Sequence, residues 1–533
     1  MAKFIFITGG VLSGLGKGIT AASIGNLLVS RGNRVFMMKF DQYLNVDAGT
    51  LSPGEHGECF VTDDGAETDL DLGHYERFTD QNLSRKSSVM SGQIYQSIIQ
   101  NERNGDYLGK TIQVIPHLTN EIKKRMLEAQ KESRADFVIV EIGGTVGDYE
   151  GMHFIEAIRQ MRRDLGVENT LYGHIGFLPW LQTTEELKTK PIQNSIRDLN
   201  NFGIQPDLIF CRADHPISKK HLEKIALFGN IDLDAVVPLE TINCVYELPM
   251  ILEEYNVSRV IARKMKINLG KRTDKSWLKL IKNVRSKKQK KIKIALVGKY
   301  MDMKDTYYSV TEALKAAAFD HQVDLEILWT DSEKIEKNGA DKFLKNVSGI
   351  VVPGGFGNRG IEGKIAAAKY ARTMKIPYLG LCLGMQIAVI EFAREVLKTQ
   401  KCNSTEFDQK VKHPVIDIMD DQKKIKKKGG TMRLGTYPCI LNKDSLAFKA
   451  YGKDKISERH RHRYEFNNKY RKELVEAGLL VAGLSPDKNL VEIIEIKDHP
   501  FFVASQFHPE FKSRPNRPHP LFLGFIKACS ITA

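Results

Sequence analysis

The sequence predicts two α/β domains, each built around a mainly parallel sheet. Short apolar runs typical of buried strands alternate with helical stretches, the alternation stops at a lysine-rich segment, and it then starts again. Apolar strands separated by helices are usually joined by right-handed crossovers and form parallel sheets. We therefore expect one domain over residues 1–266, a basic linker over 267–293 and a second domain over 294–533.

The first domain opens with a strand, a loop and a helix. The apolar run Lys3–Thr8 is followed by a glycine-rich stretch and by a helical pattern from Ile19 to Ser30. The same alternation then continues along the chain. Further strands are predicted at Val35–Met38, Phe137–Ile142, Leu171–Leu178 and Leu208–Cys211, and further helices at Thr119–Glu132 and Gly151–Leu165.

The second domain repeats the pattern after the lysine-rich segment. Its predicted strands are Lys293–Gly298, Gly349–Val352 and Pro377–Leu381, with a helix at Thr311–Ala318. A second lysine cluster, residues 423–428, is predicted to be a surface loop.

The net charge of +14 over 533 residues invites a nucleic-acid interpretation, but its distribution argues against one. Residues 1–266 contain 29 Lys/Arg and 35 Asp/Glu, a net of −6, whereas residues 267–293 alone contribute +10. We therefore interpret the basic segment as a solvated linker or surface helix and expect no nucleic-acid partner, with a nucleic-acid-binding arm as the alternative.

The cysteines and the hydropathy narrow the class of protein further. Seven scattered cysteines without a CxxC spacing fit neither a disulfide framework nor a structural zinc site. No signal-peptide pattern or apolar 20-residue stretch is present, so we expect no membrane segment and a cytoplasmic location.

A phosphate-binding loop is predicted between the first strand and the first helix. The stretch Thr8–Thr20 is glycine-rich, so its backbone N–H groups can approach phosphate oxygens, and Lys17 can reach the β- and γ-phosphates. Two positions depart from the common pattern: Val11 replaces its first glycine, and Gly18 replaces the Ser/Thr after the lysine. A generic glycine-rich turn is the alternative.

Carboxylates and lysines suggest two further ligand sites in the first domain. Glu141 ends a predicted strand, and the acidic run Asp63–Phe78 includes Asp71, so these side chains could bind the Mg²⁺ that accompanies ATP. An acidic run can equally be solvated surface. The turn Lys188–Gln193 places two lysines where a second anion could bind, or it is an ordinary loop.

A cysteine nucleophile is predicted in the second domain. Cys382 lies in a Gly-x-Cys-x-Gly turn between a strand and a helix, the form of a nucleophile elbow. His508 and Glu510 are two residues apart and can act as base and orienting carboxylate. The loop Pro353–Gly357 and the N–H of Leu383 could form an oxyanion hole. This pattern predicts acyl transfer from an amide through a thioester.

These residues together resemble known families. The second half resembles the class I glutamine amidotransferases, because PGGFG, GLCLGMQ and QFHPE occur in that order. The first half resembles the ATP-dependent amidoligase of the CTP synthase family, and nearly the whole chain is covered. The further motifs that carry the resemblance are Lys39–Asp47, the run Asp63–Phe78, Glu141–Asp148, the turn Lys188–Pro191, Gly429–Gly435 and Arg459–Glu465.

The resemblance implies a P-loop-like parallel α/β amidoligase domain followed by a class I glutamine amidotransferase α/β domain. It implies that UTP, ATP and glutamine give CTP, ADP, phosphate and glutamate, through a phosphorylated UTP and a cysteine thioester. It also implies Mg²⁺ with ATP, activation by GTP, feedback inhibition by CTP and a homotetramer.

The resemblance assigns roles residue by residue. The catalytic residues would be Lys17, Lys39, Cys382, His508 and Glu510. ATP would contact Gly14, Leu15, Gly16, Lys17, Gly18, Ile19 and Asp71, and Mg²⁺ would be bound by Asp71 and Glu141. UTP or CTP would contact Ser13, Asp148, Tyr149, Glu150, Lys188, Thr189, Lys190, Pro191, Ile192, Gln193 and Lys224. Glutamine would contact Gly355, Leu383, Gly384, Met385, Gln386, Glu406 and Arg463.

Two other functions stay open on the residues alone. One is an ATP-dependent ligase that amidates a carboxylate, as cobyrinate-type amidotransferases do. The other is a basic scaffold that binds nucleic acid and uses a nucleotide only as a switch. Cys59 stands where the resemblance places an ammonia passage and a small aliphatic residue is expected.

Overall fold

The structure is a computed structural model that describes residues 2–288, 290–299, 301, 303–419, 422 and 431–532. The chain divides into an N-terminal unit, residues 1–47 and 71–275, and a C-terminal unit, residues 48–70 and 276–533. The sequence did not indicate that residues 48–70 belong to the second unit. The lysine cluster at 423–428 and the two glycines that open the motif Gly429–Gly435 lie outside the described residues.

The N-terminal unit contains a seven-stranded sheet in which every neighbouring pair of strands is parallel. The strands are β1 (Lys3–Gly9), β2 (Val35–Asp41), β3 (Ser88–Met90), β4 (Phe137–Ile142), β5 (Thr170–Phe177), β6 (Leu208–Ala213) and β7 (Val236–Glu240). Their order across the sheet is β7-β6-β5-β1-β4-β2-β3. The central strands are almost fully buried, which explains their continuous apolar sequence.

Helices connect these strands, and the last two helices follow β7. They are α1 (Lys17–Val29), α2 (Asp71–Thr79), α3 (Ser91–Arg103), α4 (Thr119–Ser133), α5 (Met152–Leu165), α6 (Lys190–Asn201), α7 (Lys219–Gly229), α8 (Leu248–Glu254) and α9 (Val257–Lys264). A core that includes Phe6, Phe40 and Phe154 packs helices against the sheet. The chain passes from β1 through the glycine-rich loop into α1, so the loop lies at the carboxyl edge of the sheet.

The C-terminal unit contains a nine-stranded mixed sheet and a three-stranded sheet. A helix, α10 (Lys275–Arg285), precedes the strands. The strands are β8 (Lys290–Gly298), β9 (Val323–Asp331), β10 (Gly349–Val352), β11 (Tyr378–Leu381), β12 (Cys402–Ser404), β13 (His413–Ile418), β14 (Arg433–Leu441), β15 (Lys455–His462), β16 (Tyr464–Phe466), β17 (Leu479–Leu484), β18 (Val491–Ile496) and β19 (Phe502–Ser505). The large sheet has the order β9-β8-β10-β11-β19-β18-β17-β14-β15, and the small sheet has the order β12-β13-β16.

The nine-stranded sheet changes from parallel to antiparallel pairing at β19. The pairs from β9 to β19 are parallel, and those from β19 to β15 are antiparallel. The α-helices that follow α10 are α11 (Tyr308–His321), α12 (Ser332–Asn338), α13 (Asp341–Leu344), α14 (Ile361–Met374), α15 (Leu383–Val396), α16 (Leu446–Tyr451), α17 (Arg471–Glu476) and α18 (Pro520–Thr532). Two apolar cores contain residues from opposite sides of the strands of the large sheet.

The α/β fold class and the strands predicted from the apolar runs are confirmed. The basic segment 267–293 includes α10 and the start of β8, and α10 fits the surface helix that was predicted as one form of this segment. Helix α10 buries Trp277, Leu280 and Ile281 and directs its lysines outward, so its periodic apolar residues pack while its charges stay solvated. Among the described residues, no helix is both long and apolar enough to cross a membrane.

Residues 48–70, which we call the inserted segment, are attached to the C-terminal unit by charged side chains. Asp63 accepts a hydrogen bond from Arg459 at 2.6 Å, and Glu67 accepts one from Arg461 at 2.8 Å. The Glu58 carboxylate accepts from the backbone N–H of Ser309 at 2.9 Å. These contacts explain why an acidic segment so early in the chain belongs to the second unit.

Candidate active site

Cys382 occupies a strained turn in the C-terminal unit. The turn joins β11 to α15, and Cys382 has φ 52° and ψ −101°, a backbone conformation that is costly for a residue with a side chain. A Cβ atom at Gly384 would overlap with the carbonyl oxygen of Val352, and one at Gly380 would lie 2.7 Å from the carbonyl oxygen of Gly384. The two glycines therefore permit the close packing that holds the cysteine at the start of the helix.

His508 and Glu510 lie beside this cysteine. His508 Nδ1 is 2.7 Å from Glu510 Oε1, which leaves Nε2 available to Cys382. Burial by itself lowers the pKa of His508, but Glu510 and Cys382 outweigh it and raise the pKa to about 10. The arrangement favours an imidazolium next to Cys382, as a cysteine–histidine–carboxylate site requires.

A cavity of about 200 Å³ opens in front of these three side chains. Its wall comes from the inserted segment as well as from the rest of the C-terminal unit. The lining residues are Pro53, Glu58, Cys59, Thr306, Tyr307, Val310, Pro353, Gly354, Gly355, Phe356, Cys382, Arg461, His508, Glu510 and Phe511. A cavity of this size, next to a nucleophile and a base, can take a small amide.

The loop Pro353–Gly357 is held from two sides. Lys299 Nζ donates to the carbonyl oxygens of Phe356 and Gly357, the latter at 3.1 Å. Glu406 Oε1 accepts from the N–H of Gly357 at 2.8 Å. A Cβ at Gly354 would lie 2.9 Å from the His508 ring and 3.7 Å from Cys382 Cβ, so this loop passes directly over these two side chains.

Two lysines near this loop were not identified from the sequence. Lys299 binds the loop carbonyls, and Lys364 is fully buried behind Gly355. Burial and the neighbouring Lys299 lower the pKa of Lys364 to about 7, against the opposing effect of Cys382 and Glu406. A lysine in a helix gives no local sequence signal that separates a buried ammonium from a solvated one.

The predicted glutamine-binding residues fall into three groups. Gly355 lines the cavity, whereas Leu383, Gly384 and Met385 are buried in the turn and the first turn of α15. The third group of side chains already has protein partners: Gln386 donates to the Tyr464 carbonyl at 3.0 Å, Glu406 accepts from Gly357, and Arg463 donates to Thr431 Oγ1 at 3.1 Å.

The phosphate loop lies in the N-terminal unit between β1 and α1. Gly14 and Gly16 have φ of 75° and 87°, and Val11 also has positive φ at 80°. Helix α1 begins at Lys17 without a side-chain cap, so the first backbone N–H groups of the helix are open to an anion. Lys17 Nζ donates to the Gly144 carbonyl at 2.6 Å.

Lys39, Asp71 and Glu141 meet beside the start of α1. Lys39 Nζ forms an ion pair with Asp71 and lies 3.5 Å from Glu141 Oε1 and 3.7 Å from Asp41 Oδ1. A Cβ at Gly18 would overlap with Asp71 Oδ1 and lie 3.3 Å from Glu141 Oε2. Gly18 therefore replaces the usual Ser/Thr because the carboxylates occupy the space of its side chain.

In this cluster the carboxylates outnumber the neighbouring ammonium groups, so a bound cation would be favourable. Burial raises the pKa of Glu141 to about 6, with Asp71 adding to the increase and Lys39 opposing it. Burial would also raise the pKa of Asp71, but Lys39 and His74 lower it overall. One buried and one half-buried carboxylate fit the Mg²⁺ of a Mg·ATP complex, which commonly uses one or two carboxylates with phosphate oxygens and water.

The protein side chains alone do not form a larger metal cage. Among the described residues, no group of three or more His, Cys, Asp or Glu side chains is placed to hold a metal ion. Of the acidic run Asp63–Phe78, Asp71 is part of this cluster and the Tyr75 hydroxyl donates to Glu141 Oε2, whereas Asp63 and Glu67 form ion pairs with arginines of the C-terminal unit. Within this run, Asp71 is therefore the carboxylate that remains a predicted Mg²⁺ ligand.

The predicted UTP and CTP residues are spread over several elements of the N-terminal unit. Ser13, Tyr149, Glu150, Lys190 and Lys224 are exposed. Asp148 accepts from Thr145 through both the backbone and the hydroxyl group, and Lys188 forms an ion pair with Glu186. Thr189 and Gln193 are buried and bonded to each other at 3.1 Å, and Pro191 is half-buried in the first turn of α6.

Ile192 differs from the exposed residues of this set. Its side chain is fully buried, and a Cβ at Gly176 would overlap with it, so it is part of the core between α6 and β5. The predicted nucleotide contact of Ile192 therefore stays a prediction for its backbone atoms in the first turn of α6.

Known proteins match both halves of the chain. A family model described as CTP synthase N-terminus matches residues 3–267, and one described as glutamine amidotransferase class-I matches residues 302–528. The CTP synthase of Roseiflexus sp. (strain RS-1) is 56% identical over 533 residues, which is 100% of this chain and 96% of that protein. The CTP synthase of Chloroflexus aurantiacus (strain ATCC 29366 / DSM 635 / J-10-fl) is 57% identical over 532 residues, 100% of this chain and 97% of that protein.

One solved structure is also similar. The glutaminase domain of Trypanosoma brucei CTPS with bound acivicin is 43% identical, covers 45% of this chain and 94% of that chain, and has a TM-score of 0.43. The full-length identity to curated relatives, together with the two family matches, shows that this chain belongs to the CTP synthase family, the glutamine-hydrolysing ligases that form CTP.

Proposed function

We propose that the C-terminal unit releases ammonia from glutamine and that the N-terminal unit uses it, with ATP, to convert UTP to CTP. The observation that carries this assignment is the Cys382–His508–Glu510 geometry in a chain that also holds Lys17, Lys39, Asp71 and Glu141 around a phosphate loop. ATP would be converted to ADP and phosphate, and glutamine to glutamate.

In the glutaminase reaction, Cys382 Sγ attacks the side-chain amide carbon of glutamine. His508 holds the thiol proton on Nε2 and passes it to the leaving nitrogen, which departs as ammonia, and water then hydrolyses the thioester. Glu510 holds the opposite ring nitrogen at 2.7 Å and thereby fixes the ring orientation. The N–H groups of Leu383 and of the loop Pro353–Gly357 are the proposed donors to the tetrahedral oxyanion.

In the synthase reaction, the start of α1 and Lys17 would bind the phosphates of ATP, and Lys39 would stabilise the phosphoryl group as it passes to the O4 atom of UTP. Ammonia then attacks C4, and the phosphate leaves. Mg²⁺, held by Asp71 and Glu141, would neutralise charge on the phosphates. Lys39 already pairs with one of these carboxylates, so a bound phosphate would compete for its ammonium group.

Substrate recognition is proposed on the exposed and half-buried polar groups near these centres. Glu406 and Arg463 carry charges opposite to the amino and carboxylate groups of glutamine. Lys188, Lys190 and Lys224 would bind the phosphates of UTP, and Asp148 to Glu150 the base of feedback-bound CTP. Activation by GTP, a homotetramer and a cytoplasmic location are further parts of the proposal, which family membership supports.

The test is product analysis with UTP and Mg·ATP, using glutamine or ammonia as the nitrogen source. Cys382→Ala should abolish glutamine-dependent CTP formation and leave ammonia-dependent formation within about twofold of the wild type, because Lys17, Lys39, Asp71 and Glu141 are untouched. Cys244→Ala, a half-buried thiol of the N-terminal unit, is the matched control and should keep both activities. Wild-type protein that hydrolyses glutamine yet forms no CTP, even from ammonia, would contradict the proposal.

A further inference from the structure

Three buried polar side chains connect the phosphate loop to helix α6. Thr8 Oγ1 lies 2.9 Å from His174 Nδ1, and His174 Nε2 lies 2.7 Å from Ser195 Oγ. Thr8 is near the end of β1, His174 is on β5 and Ser195 is on α6. All three are at most 5% exposed, and we call them the Thr8–His174–Ser195 chain.

The central imidazole is neutral. Burial, with a smaller effect from Lys17, lowers the pKa of His174 to about 3. A neutral ring has one N–H and one lone pair. In either tautomer it therefore donates to one hydroxyl group and accepts from the other, so a single ring sets the positions of both Thr8 and Ser195.

Ser195 also contacts the phosphate loop directly. A Cβ atom at Gly10 would overlap with Ser195 Oγ and lie 3.3 Å from His174 Nε2. The Gly10 N–H donates to the Ile175 carbonyl oxygen at 2.9 Å. The loop backbone therefore packs on the serine hydroxyl without space between them, and a displacement of Ser195 must be shared by the loop.

The first turn of α6, just before Ser195, carries groups assigned to UTP. Lys190 begins the helix, Pro191 is in its first turn, and Gln193 is two residues before Ser195. The first turn has no side-chain cap. An anion bound there would fix the position of α6, and the rigid helix would transmit that position to Ser195.

We propose that His174 and Ser195 are positioning residues of the synthase site, which hold the phosphate loop in register with the first turn of α6. The inference rests on the proposed function, because it assigns ATP to the loop and UTP to the helix. Neither residue touches the reacting atoms. Through these two residues, UTP bound at the first turn of α6 would hold the phosphate loop in the conformation that binds ATP.

A purely structural role makes a different prediction. If the chain only satisfies buried polar groups, removing a hydroxyl lowers stability but leaves the influence of one nucleotide on the other unchanged. If the chain positions the loop, that influence is lost even in a folded variant. The relevant measurement is therefore the ratio of ATP affinities with and without UTP, and not the activity alone.

The experiment uses the full chain and a non-hydrolysable ATP analogue with Mg²⁺, titrated calorimetrically with and without saturating UTP. In the wild type, UTP should increase the affinity for the ATP analogue by at least about fivefold, which is the lower end of the coupling commonly found between two sites. Ser195→Ala and the isosteric Thr8→Val should each bring this ratio to within about twofold of one, at the two ends of the chain. The double variant should add little to either single change, since both break one linkage.

Ser30→Ala is the matched control, because Ser30 is also buried in the N-terminal unit and its hydroxyl donates to the Leu27 carbonyl at 3.0 Å. It should keep the wild-type ratio. If either Ser195→Ala or Thr8→Val fails to fold, the affinity ratio of the other variant still tests the inference. An unchanged ratio in a folded Ser195→Ala or Thr8→Val protein, or a wild-type ratio of one, overturns the inference. Wild-type protein that forms no CTP overturns the proposed function instead.

Discussion

Replacing Glu510 by Gln removes the carboxylate that holds His508 while keeping the shape of the side chain. The His508–Glu510 contact is 2.7 Å long and buried. Hydrogen bonds that involve a charged group contribute about 1.5–3 kcal/mol, and about 1.4 kcal/mol corresponds to a factor of ten, so we expect glutaminase kcat to fall roughly 10- to 150-fold. Synthesis from ammonia should be unchanged.

The same substitution has a pH signature. Glu510 is the main influence that raises the pKa of His508 to about 10 against burial, so the pKa of the variant histidine must fall. If the imidazolium–thiolate pair is the active form, glutaminase activity is lost as the pH rises through the pKa of His508. The alkaline limb of the kcat/KM profile should therefore move to lower pH in Glu510→Gln.

The assay is glutamate release across the alkaline range, with ammonia-dependent CTP formation as the internal reference. Glu495→Gln is the matched control, because Glu495 is buried in the same unit and accepts only from backbone N–H groups in the contacts described, those of Leu446 and Ala447. A Glu510→Gln protein with kcat within twofold of the wild type and an unshifted alkaline limb would refute this reasoning.

Two further predictions concern the packing of Gly18 against Asp71 and the ion pair between Asp63 and Arg459. Gly18→Ser restores the hydroxyl group of the common phosphate-loop pattern but places a Cβ where Asp71 lies, so ammonia-dependent CTP formation should fall by about 10²-fold while glutamate release persists. Ammonia-dependent CTP formation by Gly18→Ser at the wild-type rate would contradict this steric argument. Asp63→Asn leaves the fully buried Arg459 guanidinium without its charged partner and should lower the free energy of unfolding by about 1–2 kcal/mol, a value discounted because Asp63 is one-third exposed. Since Arg459 and its neighbours lower the pKa of Asp63, the difference should shrink as the pH falls below 3.8, as urea unfolding can measure against the exposed control Asp444→Asn.

The fold class and the cysteine centre could be read from the sequence because their signals are local. Continuous apolar runs identify buried strands, and the glycines around Cys382 identify the turn that their lack of a side chain permits. His508 and Glu510 were found for the same reason, because a separation of two residues brings them together without help from the rest of the fold.

The remaining features depend on contacts between distant parts of the chain. Asp63 and Arg459 are 396 residues apart, and neither has a periodic pattern that points to the other. Ile192 was assigned to a nucleotide because it lies within a motif, but its side chain faces the core beside Gly176. The sequence places Ile192 within a motif, whereas the direction of its side chain required the structure.

The inserted segment sets a condition for dissecting the enzyme. A fragment that begins at residue 276 would have the nucleophile, the base and the orienting carboxylate, yet it would lack the wall formed by Glu58 and Cys59. It would also expose the guanidinium of Arg459, which is fully buried in the complete chain. An autonomous glutaminase must therefore be assembled from two stretches of the gene, and residues 48–70 need to be grafted onto residues 276–533 rather than left behind with the synthase.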